Sequence, residues 1–103
     1  MTSRHYNNKR YRREKFIKNR LGGDGKVIDS FVVDKNHPMG KEVHKITDNG
    51  IIIIYNLKSG KLVTKLIARE KQIERYYTNG NKSPPKWLLD LARWHESLGY
   101  NSI

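Results

Sequence analysis

Four residues in the middle of this chain have side chains suited to moving protons or holding a phosphate: His44, Tyr55, Lys65 and Arg69. They lie in the run EVHKITDNGIIIIYNLKSGKLVTKLIARE, residues 42 to 70. A histidine, with an ordinary pKa of about 6.5, can act as acid or base near neutral pH. Arginine offers a two-pronged fork to a phosphate, lysine a point charge, and a tyrosine can donate a proton or stack on a base. Together they suit general acid–base chemistry beside a bound phosphate, with cations where charge develops and no metal required. His37, on the loop before the second strand, is a reserve acid or base. The blander alternative is a half-buried strand histidine satisfied by backbone, with Lys65 and Arg69 shielding a sheet edge.

Whether these residues converge depends on the strands that carry them. Asn49-Gly50 between two β-rich runs reads as a two-residue type I′ turn, which places His44 opposite Tyr55 and Ile46 opposite Ile53. LKSGK, residues 57 to 61, reads as a three-residue loop closed by a left-handed Gly60, with Tyr55 opposite Val63 and Ile53 opposite Lys65. Alternation then gathers His44, Tyr55, Lys65 and Arg69 on one face, over Ile46, Ile51, Ile53, Val63 and Ile67. Val43, Ile52, Ile54, Leu62, Leu66 and Ala68 take the other, with Lys45, Thr47, Asn56 and Thr64 among them. A one-residue change in the second loop would carry Lys65 and Arg69 across the sheet.

Residues 1 to 20 form a basic helical arm: Arg4, Lys9, Arg10, Arg12, Arg13, Lys15, Lys18 and Arg20 face one acid, Glu14. Its apolar positions make only a ragged stripe, so it reads as a solvated helix that can also bind phosphates. LGGDGK breaks the helix, and lacks the Gly-Lys-Ser/Thr of a phosphate loop. KVIDSFVVD has strand composition, and KNHPMGK has turn chemistry. EKQIERYY either prolongs the last strand or makes a short turn, with Tyr76 and Tyr77 as packing or stacking surface. Ser83 before two prolines resembles an N-cap, and KWLLDLARWHESLG reads as a helix ended by Gly99. Trp87, Leu91, Trp94 and Leu98 form one stripe, read as core in preference to a base-stacking platform. The whole is an α+β domain over residues 21 to 103, preceded by the arm. An antiparallel sheet of about four strands carries the C-terminal helix on one face.

Composition narrows the partner. Lys and Arg number 21 against 10 Asp and Glu, a formal charge of +11. That field favours a polyanion, nucleic acid before anything else. No long apolar run or strongly amphipathic basic helix points to a membrane, and nothing at the start reads as a signal peptide, so a cytoplasmic protein is expected. Cysteine is absent and the four histidines lack paired ligand spacing, so neither metal nor other cofactor is expected. The arm cations, Lys45, Gln72 and Tyr76 are the candidate nucleic-acid contacts.

The segments GKEVHKITDNGIIIIYN, GKLVTKLIAR and QIERYY, in an order of basic helix, four strands and helix, look similar to small metal-independent ribonucleases. This is the fold shared by barnase, the EndoU nucleases, the colicin-type tRNases and the RelE toxins, particularly its phage-associated members. The resemblance covers residues 26 to 77. It implies RNA cleavage by attack of the 2′-hydroxyl on its own phosphate, with His44 as acid or base, Lys65 and Arg69 on the phosphate and Tyr55 assisting. It further implies RNA as a partner over DNA, and a cognate inhibitor protein. A non-catalytic DNA- or RNA-binding protein, and a small phage accessory or inhibitor protein that binds another protein, are the alternatives.

Overall fold

The computed structural model describes residues 2–34 and 40–99, with side chains from Arg10 onward. His37 and the turn chemistry around Pro38 lie outside the described residues, as do the side chains of Arg4 and Lys9. The chain runs α1 (Thr2–Arg20), β1 (Val27–Asp34), β2 (Lys41–Thr47), β3 (Ile51–Asn56), β4 (Leu62–Ile67), α2 (Glu70–Asn79) and α3 (Lys86–Ser97). The strands form one antiparallel meander in the order β1-β2-β3-β4. The expected α+β architecture is thus the observed one.

The run of four isoleucines is explained by its place. β3 is a central strand covered on both faces, so both sides of its pleat must be apolar. Ile52 and Ile54 join Ile46, Ala68, Ile73, Tyr77, Leu88 and Ala92 in a core under α2 and α3. Ile51 and Ile53 join Ile67 and Ile17 in a second core under the end of α1, flanked by Phe16, Leu21 and Tyr55. Ile17 is 2% exposed, so the basic helix is not a detachable arm: its last turns belong to the body.

Three expectations about elements need correction. EKQIERYY neither prolongs the last strand nor makes a short turn; residues 70 to 79 form α2, whose Ile73 and Tyr77 are buried one turn apart, and the Gln72 carboxamide accepts the Arg69 backbone N–H at 2.9 Å. The cap of α3 is Pro85, not Ser83: its carbonyl accepts from Leu88 N–H at 3.1 Å and Leu89 N–H at 3.3 Å. The buried stripe of α3 is Leu88, Ala92 and His95, one residue away from the expected one, which leaves Trp87 and Trp94 on the surface.

The first hairpin differs by one residue, with the larger consequence. His44 pairs with Ile54 and Ile46 with Ile52. A type I′ turn needs positive φ at both central residues, and among the described residues Asn81 alone, apart from glycines, has it. The loop is instead Asp48-Asn49-Gly50, closed by Gly50 at φ 74. Tertiary bonds fix this choice. Asn49 Nδ2 donates to the carbonyls of Leu21 and Gly23, both at 2.6 Å, and Thr47 Oγ1 accepts the Asn49 and Ile51 N–H groups at 3.2 and 3.1 Å. In the second hairpin Gly60 is left-handed and Ile53 faces Lys65 as expected, but an irregularity after Ile54 sets Tyr55 opposite Leu62.

The linker between α1 and β1 presses on that loop at Gly25. With φ 86, its missing Cβ would fall 2.5 Å from Asp48 Oδ1 and 2.7 Å from Asn49 Cβ. Gly25→Ala should therefore cost about 2–4 kcal/mol in urea unfolding, strain and clash together. Gly22→Ala, at φ 78 with nothing within 4 Å, should cost only about 1–2 kcal/mol. Equal losses in the two variants would show that the linker relaxes freely.

Candidate nucleic-acid interface

The register decides which chemical groups meet. Pairing of Ser30 with Lys45, Lys45 with Ile53 and Ile53 with Lys65 makes one row across the sheet on the α1 face. Val32, Val43 and Tyr55 make the next row on that face. His44 points the other way, toward α2. The expected group of four is therefore split by the slip at Asn49-Gly50: Lys65 and Tyr55 lie on one face, His44 on the other, and Arg69 is exposed at the start of α2.

His44 is 5% exposed, and both ring nitrogens are engaged. Nδ1 shares a short hydrogen bond with the Tyr76 hydroxyl, and Nε2 lies 2.9 Å from Glu42 Oε1. Burial pushes the Tyr76 phenol up to about 12, helped by the nearby Glu42 charge and opposed by Arg75. A phenol this reluctant to ionise keeps its proton, so Glu42, His44 and Tyr76 form a polar strut between β2 and α2. Tyr76 also stacks on Phe31, with ring centroids 5.7 Å apart. Tyr76→Phe should lower stability by about 1–2 kcal/mol by orphaning a buried ring nitrogen, and leave polyanion affinity unchanged by fluorescence anisotropy. A parallel loss of affinity would place Tyr76 in the interface instead.

The α1 face has different chemistry. Lys45 Nζ sits 5.0 Å above the Tyr55 ring, and Lys65 Nζ is held by Asp24 Oδ2 at 2.8 Å. Arg13 donates to Lys65 O at 2.9 Å and Thr64 Oγ1 at 3.2 Å, pinning α1 to the edge strand β4. Of the other cations on the helix, Arg12, Lys15, Lys18 and Arg20 are exposed, and Arg10 is partly exposed beside Glu14 at 3.6 Å. α1 is held by Ile17, Phe16 and Arg13, all in its last two turns. The helix is about 28 Å long, so Arg10 and Arg12 lie on the part that extends beyond the packed end. Val32, in the sheet row that ends at Tyr55, is 60% exposed, so the β1 side of this face is open.

Gln72 is spent on capping α2 and offers no aimed contact to a nucleic acid. Sequence reasoning missed Glu42 and Tyr76 as the partners of His44, because one is two residues away on the same strand and the other is on a helix read as either a strand continuation or a short turn. No family model, curated protein or solved structure matches the chain. Among the described residues no cluster could hold a metal ion, and no helix is long and apolar enough to cross a membrane.

Proposed function

We propose that this protein binds single-stranded RNA without cleaving it, using α1 for the phosphates and the open half of the sheet for bases. The carrying observation is the placement of the cations. The helix that supplies +7 of the charge projects from an anchored end, beside a sheet face bearing Lys45 and Tyr55. Single strands expose bases that stack on aromatic rings, whereas duplexes hide them, which favours single-stranded RNA. The binding reading is further supported by His44 standing across the sheet from Lys65, with no ring nitrogen left for a substrate. A cytoplasmic setting fits this reading.

The test is anisotropy of labelled single-stranded RNA, duplex RNA and single-stranded DNA across a salt series in EDTA, with the same mixtures run on denaturing gels. The expected result is tightest binding to single-stranded RNA, affinity falling steeply with salt, and intact RNA. Fragments with 2′,3′-cyclic phosphate ends, lost in His44→Ala, would establish the ribonuclease in its place.

A further inference from the structure

α3 carries two apolar stripes at different depths. Leu88, Ala92 and His95 point into the core, while Trp87 and Trp94 stand 49% and 51% exposed. With the half-buried Leu91 and Leu98 they repeat at i, i+4, i+7 and i+11, the spacing of a helix-pairing seam. Tryptophan dominates the energetic centres of protein interfaces, and two of them aligned on one helix form a patch, not scattered surface residues.

Charge selects the occupant. On α3, Lys86 and Arg93 are balanced by Asp90 and Glu96, in a chain of formal charge +11. A phosphate strand would meet Asp90 between the two tryptophans, so nucleic acid is a poor fit. A second copy of this chain is a good one. The neutral helix is where two strongly cationic molecules approach with least repulsion, and the basic α1 lies on the opposite face of the sheet. The seam is also self-complementary. Antiparallel about a two-fold between Ala92 and Arg93, Trp87 lies against the partner's Leu98 and Leu91 against the partner's Trp94, so each of the four seam residues meets an apolar mate.

We propose that this protein self-associates as an isologous, antiparallel pair through the Trp87-Leu91-Trp94-Leu98 seam of α3. The seam is only about 17 Å long, below what a standard interface buries, so the dissociation constant falls on the order of 10 µM. Pairing would put two basic helices on one particle and so raise avidity for a polyanion. The proposal does not depend on that use, and its test contains no nucleic acid.

Sedimentation equilibrium of the full chain from about 2 to 200 µM, at low and high salt, reads the association directly. The expected result is a dimer that dissociates on dilution, with tryptophan emission shifting to shorter wavelength as it forms. Added salt should tighten it, because screening relieves the net repulsion. Trp94→Glu should raise the dissociation constant at least tenfold, with the circular dichroism melt of the monomer retained. Should that variant fail to fold, Trp87→Gln provides the same comparison. A monomer at every concentration and salt would overturn the proposal. So would a dimer that weakens with salt, or one indifferent to both substitutions.

Discussion

Replacing Arg10, Arg12 and Lys15 by glutamine should weaken single-stranded RNA binding by about 10²-fold at moderate salt, and reduce the slope of log affinity against log salt by about 2. The slope follows from counterion release, about 0.7 per phosphate neutralised on a single strand, taken over three contacts. These side chains are partly or fully exposed on the helix and none joins the core, so the fold should survive. Deleting residues 1 to 20 would be a poorer experiment, because it removes Ile17 from a core in which it is 2% exposed. A matched control removes three exposed cations from the other side of the sheet: Lys71, Arg75 and Lys86, each to glutamine. If affinity depends on the surface and not on net charge, the control should lose far less. Equal losses would mean that α1 is only one contributor to a diffuse field. The helix itself gives a second readout. No acid lies in its first turn and its cations crowd one another, an arrangement that opposes its own helicity. Bound phosphates relieve that repulsion, so far-ultraviolet circular dichroism should gain helical signal on saturation with RNA.

What the sequence disclosed follows from how local each determinant is. Four strands in sequential antiparallel order, the left-handed Gly60 and the end of α3 at Gly99 are written in nearby residues, and each was legible. The failures arose where a distant group decided between two local choices. Asn49-Gly50 suits a two-residue turn by propensity, yet carbonyls of Leu21 and Gly23, more than 25 positions away, hold the Asn49 side chain in a three-residue loop. Because side chains alternate with a period of two, that single residue moved His44 from the face of Lys65 to the face of Tyr76. The tryptophans misled for a related reason. Trp87 and Trp94 define the most apolar helical stripe of α3, but the volume beneath the helix accepts Leu88, Ala92 and His95, with His95 directly against Gly50. Hydrophobicity indicated that a face would be covered. It could not indicate which face the rest of this chain would cover.

That placement gives the second large prediction. His95 is 1% exposed, and neither ring nitrogen has a hydrogen-bond partner among the described residues. A buried polar group left unpaired costs about 1–3 kcal/mol. His95→Leu, close in volume and lacking the orphaned nitrogens, should therefore stabilise the protein by about that amount in urea unfolding at pH 7.5. Burial also pulls the His95 pKa below its usual 6.5, with no acid contributing to offset it. Between the folded and unfolded pKa values the unfolded chain binds a proton that the native state refuses. Stability from this group is thus complete above pH 6.5 and falls as pH drops below it, by at most about 1.4 kcal/mol per pH unit, until the native histidine also protonates. The leucine variant should lack this component, so the stabilisation it confers should grow on going from pH 7.5 to 5. Subtracting the two proteins' curves removes the other titrating groups, provided that the substitution leaves their surroundings unchanged. A difference that stays constant with pH would mean that His95 titrates normally in the native protein. A destabilised leucine variant at pH 7.5 would mean that the ring fills its site better than an aliphatic side chain can, outweighing the unpaired nitrogens.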